Sequence, residues 1–389
     1  MPQALFEPTV TGTLKRVDIP RTGSWHTALF WGFLYLRRFY FRALNNISSI
    51  FRMLDPRRLI GLAPGLPPFR KVLPRGPQIW KFPPDSRYVN GFIESGQERV
   101  AGQWENKESG WVLTTLSPQT DLSAVRRSIL YFHGSGFQSP ISEAHWGFCG
   151  YLSRWLDAEV VVAPYPLGIN NPGPEWRSAL LSVYKEFVSR AGGKEIIVAG
   201  DSAGGMISLG LVYELHAANL PLPHQIVAIC PPTDLALAAR SAMLTIEPYD
   251  PFLAVDYAHV ALRVYAGVSV PASVAHAGKA YTITMPVEMA TNPAYSPQAG
   301  NPAFLREAGT KVIVVNGEWD ILYPDAEHYV EMLAKAGVDV TYIVGEKQFH
   351  IFPVMVGSVK ESKMAANMIV QAILRNEEDS HQKNGKSAI

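Results

Sequence analysis

Ser202 lies in Gly200-Asp201-Ser202-Ala203-Gly204-Gly205, directly after the apolar run Glu195-Ile196-Ile197-Val198-Ala199. A serine flanked two residues away on each side by glycine, at a strand end and ahead of a helix-like stretch, suits a nucleophile. A sharp turn lifts the hydroxyl clear of the sheet, and small neighbours admit a base and a substrate. The five-residue pattern is weak alone, arising by chance in roughly one chain in eight of this length. A serine hydroxyl at neutral pH also needs a base, and the base needs a carboxylate to fix its tautomer and stabilise the imidazolium.

The G-x-S-x-G turn resembles the nucleophile turn of the α/β-hydrolases, and that resemblance implies the order serine, acid, histidine, with the acid after the next-to-last strand and the base after the last. The run Lys311-Val312-Ile313-Val314-Val315 is followed by Asn316-Gly317-Glu318-Trp319-Asp320. Asp320 stands at the expected place, with Glu318 and Asp325 as rivals. Asp325 also suits the first turn of the next helix, where an acid is favourable for dipole reasons alone. Beyond Asp320 the histidines are His328, His350 and His381. His328 falls on the intervening helical stretch and His381 in the tail, so His350, just past the strand-like Val340 to Val344, is the expected base.

The tetrahedral intermediate of acyl transfer carries an oxyanion, best held by backbone N–H groups. The strand-like Ser128 to Phe132 opens into His133-Gly134-Ser135-Gly136-Phe137, whose small residues allow the backbone a close approach. Alone it reads equally as a glycine turn; its place beside the other three residues favours the oxyanion loop.

These residues need a scaffold. Short apolar runs at 128–132, 159–162, 195–199, 225–229, 311–315 and 340–344 alternate with stretches at helical spacing over 145–156, 175–191, 204–218 and 325–336. Continuous apolar strands separated by helices predict a mostly parallel sheet buried on both faces in an α/β fold. Residues 1–95, aromatic and Pro-rich, and 236–300, Ala-rich with Pro breaks, interrupt the alternation. They are read as a composite cap over the ends of the strands, where ligands bind in open α/β sheets. The core is then 96–235 and 301–375, and the polar tail 376–389 is expected to be disordered.

At 389 residues, 47% hydrophobic and with a net charge of +1, the chain can bury a large core and carries no charge excess that suits nucleic acid. Cys149 and Cys230 sit in apolar surroundings and read as buried free thiols. The apolar run Ala28 to Leu36 is ended by Arg37-Arg38, too early for a spanning helix of about 20 residues. Three readings of 28–44 remain: a helix packed over the protein's own pocket, peripheral membrane contact through Trp31, Phe33, Phe39 and Phe41, or a cleaved signal or anchor. An intracellular protein, cytoplasmic or peripherally attached to membrane, is expected.

With HGSGF at 133–137 and GDSAGG at 200–205, the chain resembles the hormone-sensitive-lipase branch of the α/β-hydrolases. Leu220-Pro221-Leu222-Pro223, Cys230-Pro231-Pro232-Thr233-Asp234-Leu235, Tyr249-Asp250-Pro251-Phe252-Leu253 and Pro293-Ala294-Tyr295-Ser296-Pro297 extend the likeness over roughly 99–371. The resemblance implies a helical cap, no metal and no organic cofactor, and an apolar small-molecule ester as substrate. It implies Ser202 as nucleophile, Asp320 as orienting acid and His350 as base. The oxyanion hole falls to Gly134, Ser135, Gly136 and Ala203, with the N–H groups of the last three as donors and His133 organising the loop. Ser135 replaces a usual glycine, so a left-handed backbone there would be strained, and its hydroxyl could add a donor near the substrate. Ala163-Pro164-Tyr165-Pro166-Leu167 lacks the family's usual ionic scaffold. The fold also hosts acyl transfer, elimination, isomerisation and cyclisation, so non-hydrolytic catalysis stands as the alternative. A non-catalytic binder is disfavoured by the presence of His350.

Overall fold

The computed structural model describes residues 14–19, 99–118, 121–167 and 171–386. In chain order they form β1 (Leu14–Ile19), β2 (Arg99–Glu105), β3 (Val112–Ser117), β4 (Arg127–Phe132), α1 (Glu143–Leu156), β5 (Ala158–Val162), α2 (Gly173–Trp176), α3 (Ala179–Ala191), β6 (Glu195–Asp201), α4 (Ala203–Ala217) and β7 (Gln225–Ile229). There follow α5 (Arg240–Ile246), α6 (Val255–Tyr265), α7 (Ala272–His276), α8 (Val287–Ala290), α9 (Ala303–Ala308), β8 (Lys311–Gly317), α10 (Tyr323–Lys335), β9 (Val340–Gly345) and α11 (Lys360–Lys386).

The strands make one sheet in the order β1-β9-β8-β7-β6-β4-β5-β3-β2. β2 and β3 pair antiparallel, as do β3 and β5; every other pairing is parallel. The period-2 geometry of a strand sends successive side chains to opposite faces, and both faces are covered. In β6, Ile196 and Val198 join a layer with Leu180, Val183 and Phe187 of α3 and Met206 and Leu211 of α4. Ile197 and Ala199 face the other way, toward Phe148 and Leu152 of α1 and Ile369 and Ile373 of α11. Double-sided burial explains why these strands read as unbroken apolar runs. Cys149 and Cys230 are buried and free.

The structure corrects the sequence reading at both ends. Leu14–Ile19, placed by the sequence reading in the cap, is an edge strand parallel to β9, with Ile19 opposite Gly345. Its charged Lys15, Arg16 and Asp18 hide it from an apolar-run search, and such charges are what keeps an edge strand from pairing with other chains. The tail expected to be disordered from 376 is helical as far as Lys386. The Asn376 side chain donates to Gln225 Oε1 at 2.9 Å, its carbonyl accepts from the Lys311 ammonium, and Glu377 pairs with Arg127. Three strand starts are thereby tied to one helix, so the polar residues there bind the amino ends of interior strands. The helix read over 175–191 is broken in two, at α2 and α3.

Residues 236–300 carry α5 to α8 and no strand. The rest of the expected amino-terminal cap, including the candidate membrane segment 28–44, lies outside the described residues. Among the described residues no helix is long and apolar enough to cross a membrane.

Candidate active site

Ser202 occupies the junction of β6 and α4 with φ 51° and ψ −120°. This is a strained position for a non-glycine residue, of a kind that clusters at functional sites. The turn is possible because its neighbours lack side chains. A Cβ on Gly200 would lie 2.4 Å from the Gly204 carbonyl oxygen, and one on Gly204 would lie 1.9 Å from that of Phe132. The loop ends of β6, β8 and β9 then converge. His350 Nε2 lies 2.9 Å from Ser202 Oγ, and His350 Nδ1 lies 3.0 Å from Asp320 Oδ2. With Nδ1–H donating to the carboxylate, Nε2 is left to accept the serine proton. Asp320 Oδ1 accepts from Leu322 N–H at 2.9 Å.

Of the rival acids, Glu318 accepts from Lys347 N–H at 3.0 Å, and Asp325 is buried in the first turn of α10. Asp320 alone of the three is hydrogen-bonded to His350 among the described residues. His350 and Asp320 are almost wholly buried, whereas Ser202 is 9% exposed, the outermost of the three. Burial by itself lowers the His350 imidazole, but the adjacent Asp320 carboxylate outweighs it and holds the pKa above the ordinary value.

The loop after β4 is held from beneath by Asp201, the residue before Ser202. Its carboxylate accepts from Tyr131 Oη at 2.6 Å and Gly134 N–H at 3.0 Å, and lies 3.1 Å from His145 Nε2. Burial would raise this carboxyl; His145 and Tyr131 outweigh that and keep it below the ordinary carboxylate value. Gly134, expected in the loop but not among its donors, has its N–H already taken by Asp201. The N–H groups of Ser135, Gly136 and Ala203 have no protein acceptor among the described residues. Gly134 instead supplies closeness, since a Cβ there would sit 2.3 Å from Asp201 Oδ2 and 3.1 Å from Ser202 Cβ.

Ser135 has φ 103°, the left-handed backbone foreseen as strained. Its hydroxyl donates to the Ser139 carbonyl and accepts from Ser139 N–H at 3.3 Å, so it braces its own loop. His133 is buried, which lowers its pKa to about 4 and keeps it neutral. Its Nδ1–H donates to the Gly134 carbonyl at 2.6 Å. Tyr165, from the segment that lacks an ionic scaffold, stacks on His133 at 4.7 Å and on Trp176 at 5.4 Å, and its hydroxyl donates to the His133 carbonyl at 2.7 Å. An aromatic stack therefore supports the loop in this chain.

Three contributors escaped the sequence reading. Asp201 stood inside the motif without a role, because its partners Tyr131 and His145 come from other elements. Asp250, quoted only as part of a resembling segment, accepts from Ile321 N–H at 3.1 Å and so ties the link between α5 and α6 to the loop that carries Asp320. Burial, then the neighbouring Asp320 carboxylate, push Asp250 up to about 7. Cys230 Sγ accepts from Ile351 N–H at 3.2 Å, bracing the base's loop. Cys230, Asp320 and His350 place ligand-type atoms within 4.8 Å of one another, but the His350–Asp320 hydrogen bond already occupies two of them.

Asp201→Asn is expected to lower kcat/KM by about 10- to 100-fold through misplacement of the oxyanion loop, with little change in far-ultraviolet circular dichroism. Steady-state kinetics on a chromogenic ester would check it; an unchanged kcat/KM would separate the loop's placement from Asp201.

Comparison with known proteins gives a concordant result. The model of the alpha/beta hydrolase fold family matches residues 129–354, more than half of the chain. A hormone-sensitive lipase of Ictidomys tridecemlineatus is 26% identical over 187 residues, which is 46% of this chain and 24% of that protein. The match thus spans about a quarter of the lipase's length. An esterase of Mycobacterium tuberculosis is 27% identical over 256 residues, covering 64% of this chain and 74% of that one. The crystal structure of a hormone-sensitive lipase from a metagenome library superposes with a TM-score of 0.60 at 21% identity, over 76% of this chain and 94% of the other; that likeness is one of fold. The chain belongs to the alpha/beta hydrolase fold family, and within it resembles the esterases and lipases of the hormone-sensitive-lipase type.

Proposed function

We propose that this protein hydrolyses a carboxylic ester through an acyl-enzyme intermediate. The observation that carries this reading is the unbroken chain Ser202 Oγ, His350 Nε2, His350 Nδ1 and Asp320 Oδ2, with links of 2.9 and 3.0 Å. Ser202 Oγ attacks the ester carbonyl carbon as its proton passes to His350 Nε2. The imidazolium that forms is stabilised by Asp320, which stays ionised. The carbonyl oxygen, now an oxyanion, receives the N–H groups of Ser135, Gly136 and Ala203, backbone donors of the kind that stabilise developing charge best. Collapse of the intermediate breaks the bond to the alkoxy oxygen, which leaves as the alcohol with the proton from His350. Water then attacks the acyl carbon as His350 Nε2 takes its proton; collapse breaks the bond to Ser202 Oγ, which recovers the proton from His350, and the carboxylic acid departs. The named esterases and lipases among its relatives support the ester as substrate class.

A fluorophosphonate probe is expected to label the wild-type protein at Ser202 and to leave Ser202→Ala unlabelled. A series of p-nitrophenyl esters of rising acyl length should be turned over by the wild type alone. Labelling that persists in Ser202→Ala would overturn the nucleophile. A folded, probe-reactive protein that turns over no ester would favour the non-hydrolytic alternative.

A further inference from the structure

The helix α6, in the segment between β7 and β8, lies against the oxyanion loop. Tyr257, Ala261 and Tyr265 recur at intervals of four residues and so share one stripe of that helix. Each meets the loop. A Cβ on Gly136 would lie 2.9 Å from Tyr257 Oη and 3.4 Å from Ala261 Cβ, and the Phe137 ring stacks on Tyr265 with centroids 3.9 Å apart. Gly136 also has φ 59°, so two independent constraints favour glycine there. Phe137 and Tyr265 are buried, which makes this docking a packed contact.

Tyr257 is the exception on the stripe. It is 45% exposed, and its hydroxyl forms no hydrogen bond among the described residues. A tyrosine hydroxyl held beside the loop's backbone, with a donor to give and no acceptor among the described residues, is in position to meet a ligand. A tyrosine hydroxyl stays protonated, and so a donor, throughout the physiological range.

We propose that Tyr257 is a substrate-contacting residue, its hydroxyl donating a hydrogen bond to the bound ester group beside Gly136. The proposal rests on the ester-hydrolase reading above. In it α6 supplies one polar contact to a site otherwise built from the sheet's own loops, and the Phe137–Tyr265 stack fixes the height of that contact above the loop.

The test compares Tyr257→Phe, Tyr257→Ala and wild type on one p-nitrophenyl ester, with fluorophosphonate labelling rates measured in parallel. Tyr257→Phe keeps the ring and removes only the donor. It is expected to lower kcat/KM and the second-order labelling rate by about 10- to 100-fold at unchanged melting temperature. Tyr257→Ala should then be no better than Tyr257→Phe. A phenylalanine variant as active as wild type overturns the proposal, and if only the alanine variant is impaired the ring matters and the hydroxyl does not. A wild-type protein that neither labels nor turns over ester would instead overturn the underlying reading, so the two failures are distinct.

Discussion

Replacing His350 by alanine is expected to lower kcat on a p-nitrophenyl ester by about a million-fold, with KM little changed. A buried base that both activates the nucleophile and protonates the leaving group acts as one unit with the serine, and removing either forfeits the whole effect. Asp320→Asn should cost less, about ten-thousand-fold, because the imidazole remains but its tautomer is no longer fixed. The two variants also differ in pH dependence. Only neutral His350 can accept the Ser202 proton, so activity falls as pH drops through its pKa. That pKa is held above the ordinary imidazole value against the effect of burial by the Asp320 carboxylate, so the acid limb of kcat/KM should lie above about 6.5 in the wild type. In Asp320→Asn the opposing charge is gone while burial stays, and the limb should move to lower pH. A pH profile of kcat/KM for both proteins checks the sign; a limb that stays in place would remove Asp320 from the assignment.

The second large effect concerns folding. Gly204→Ala would put a methyl group 1.9 Å from the Phe132 carbonyl oxygen, 2.4 Å from its carbon and 2.7 Å from the His133 carbonyl oxygen. All three are backbone atoms of the central strand β4 and the loop it feeds, so relief requires moving the sheet or the helix. A loss of more than about 4 kcal/mol, or no soluble protein at all, is the expected result. Gly147→Ala is the control. It lies within α1 and a Cβ there meets nothing within 4 Å, so alanine should leave stability unchanged or raise it by up to about 1 kcal/mol. Denaturant unfolding of the two variants would read both; a Gly204→Ala protein as stable as wild type would mean that the elbow does not need its glycine.

The contrast between what the sequence conveyed and what it hid follows from where the information resides. β4 to β9 were legible because strands buried on both faces are unbroken apolar text. β1, with Lys15, Arg16 and Asp18, and β2, with Gly102 and Gln103, carry edge-strand chemistry that looks like loop. Ser202, Asp320 and His350 could be named because the G-x-S-x-G turn resembles that of the α/β-hydrolases, whose order along the chain is serine, acid, histidine. The use of the Gly134 N–H could not, since it depends on Asp201 being turned toward the loop by Tyr131 and His145, three contacts distant in sequence. Asn376 and Glu377 were misread for a related reason: a polar residue that reaches strand starts is indistinguishable in one dimension from one that reaches water.

The pairing of β1 with β9 also bears on how the protein is made. Residues 14–19 find their partner only at 340–345, so the earliest described strand must wait until those residues have left the ribosome. Contacts of such long sequence separation form slowly, and during synthesis the amino-terminal segment is held in reserve. β9, the strand that leads to His350, keeps one open edge until that late arrival. The sheet is therefore closed at β9 by the earliest described strand, residues 14–19. A shortened form lacking that part would leave the unpaired backbone of β9 exposed to other chains.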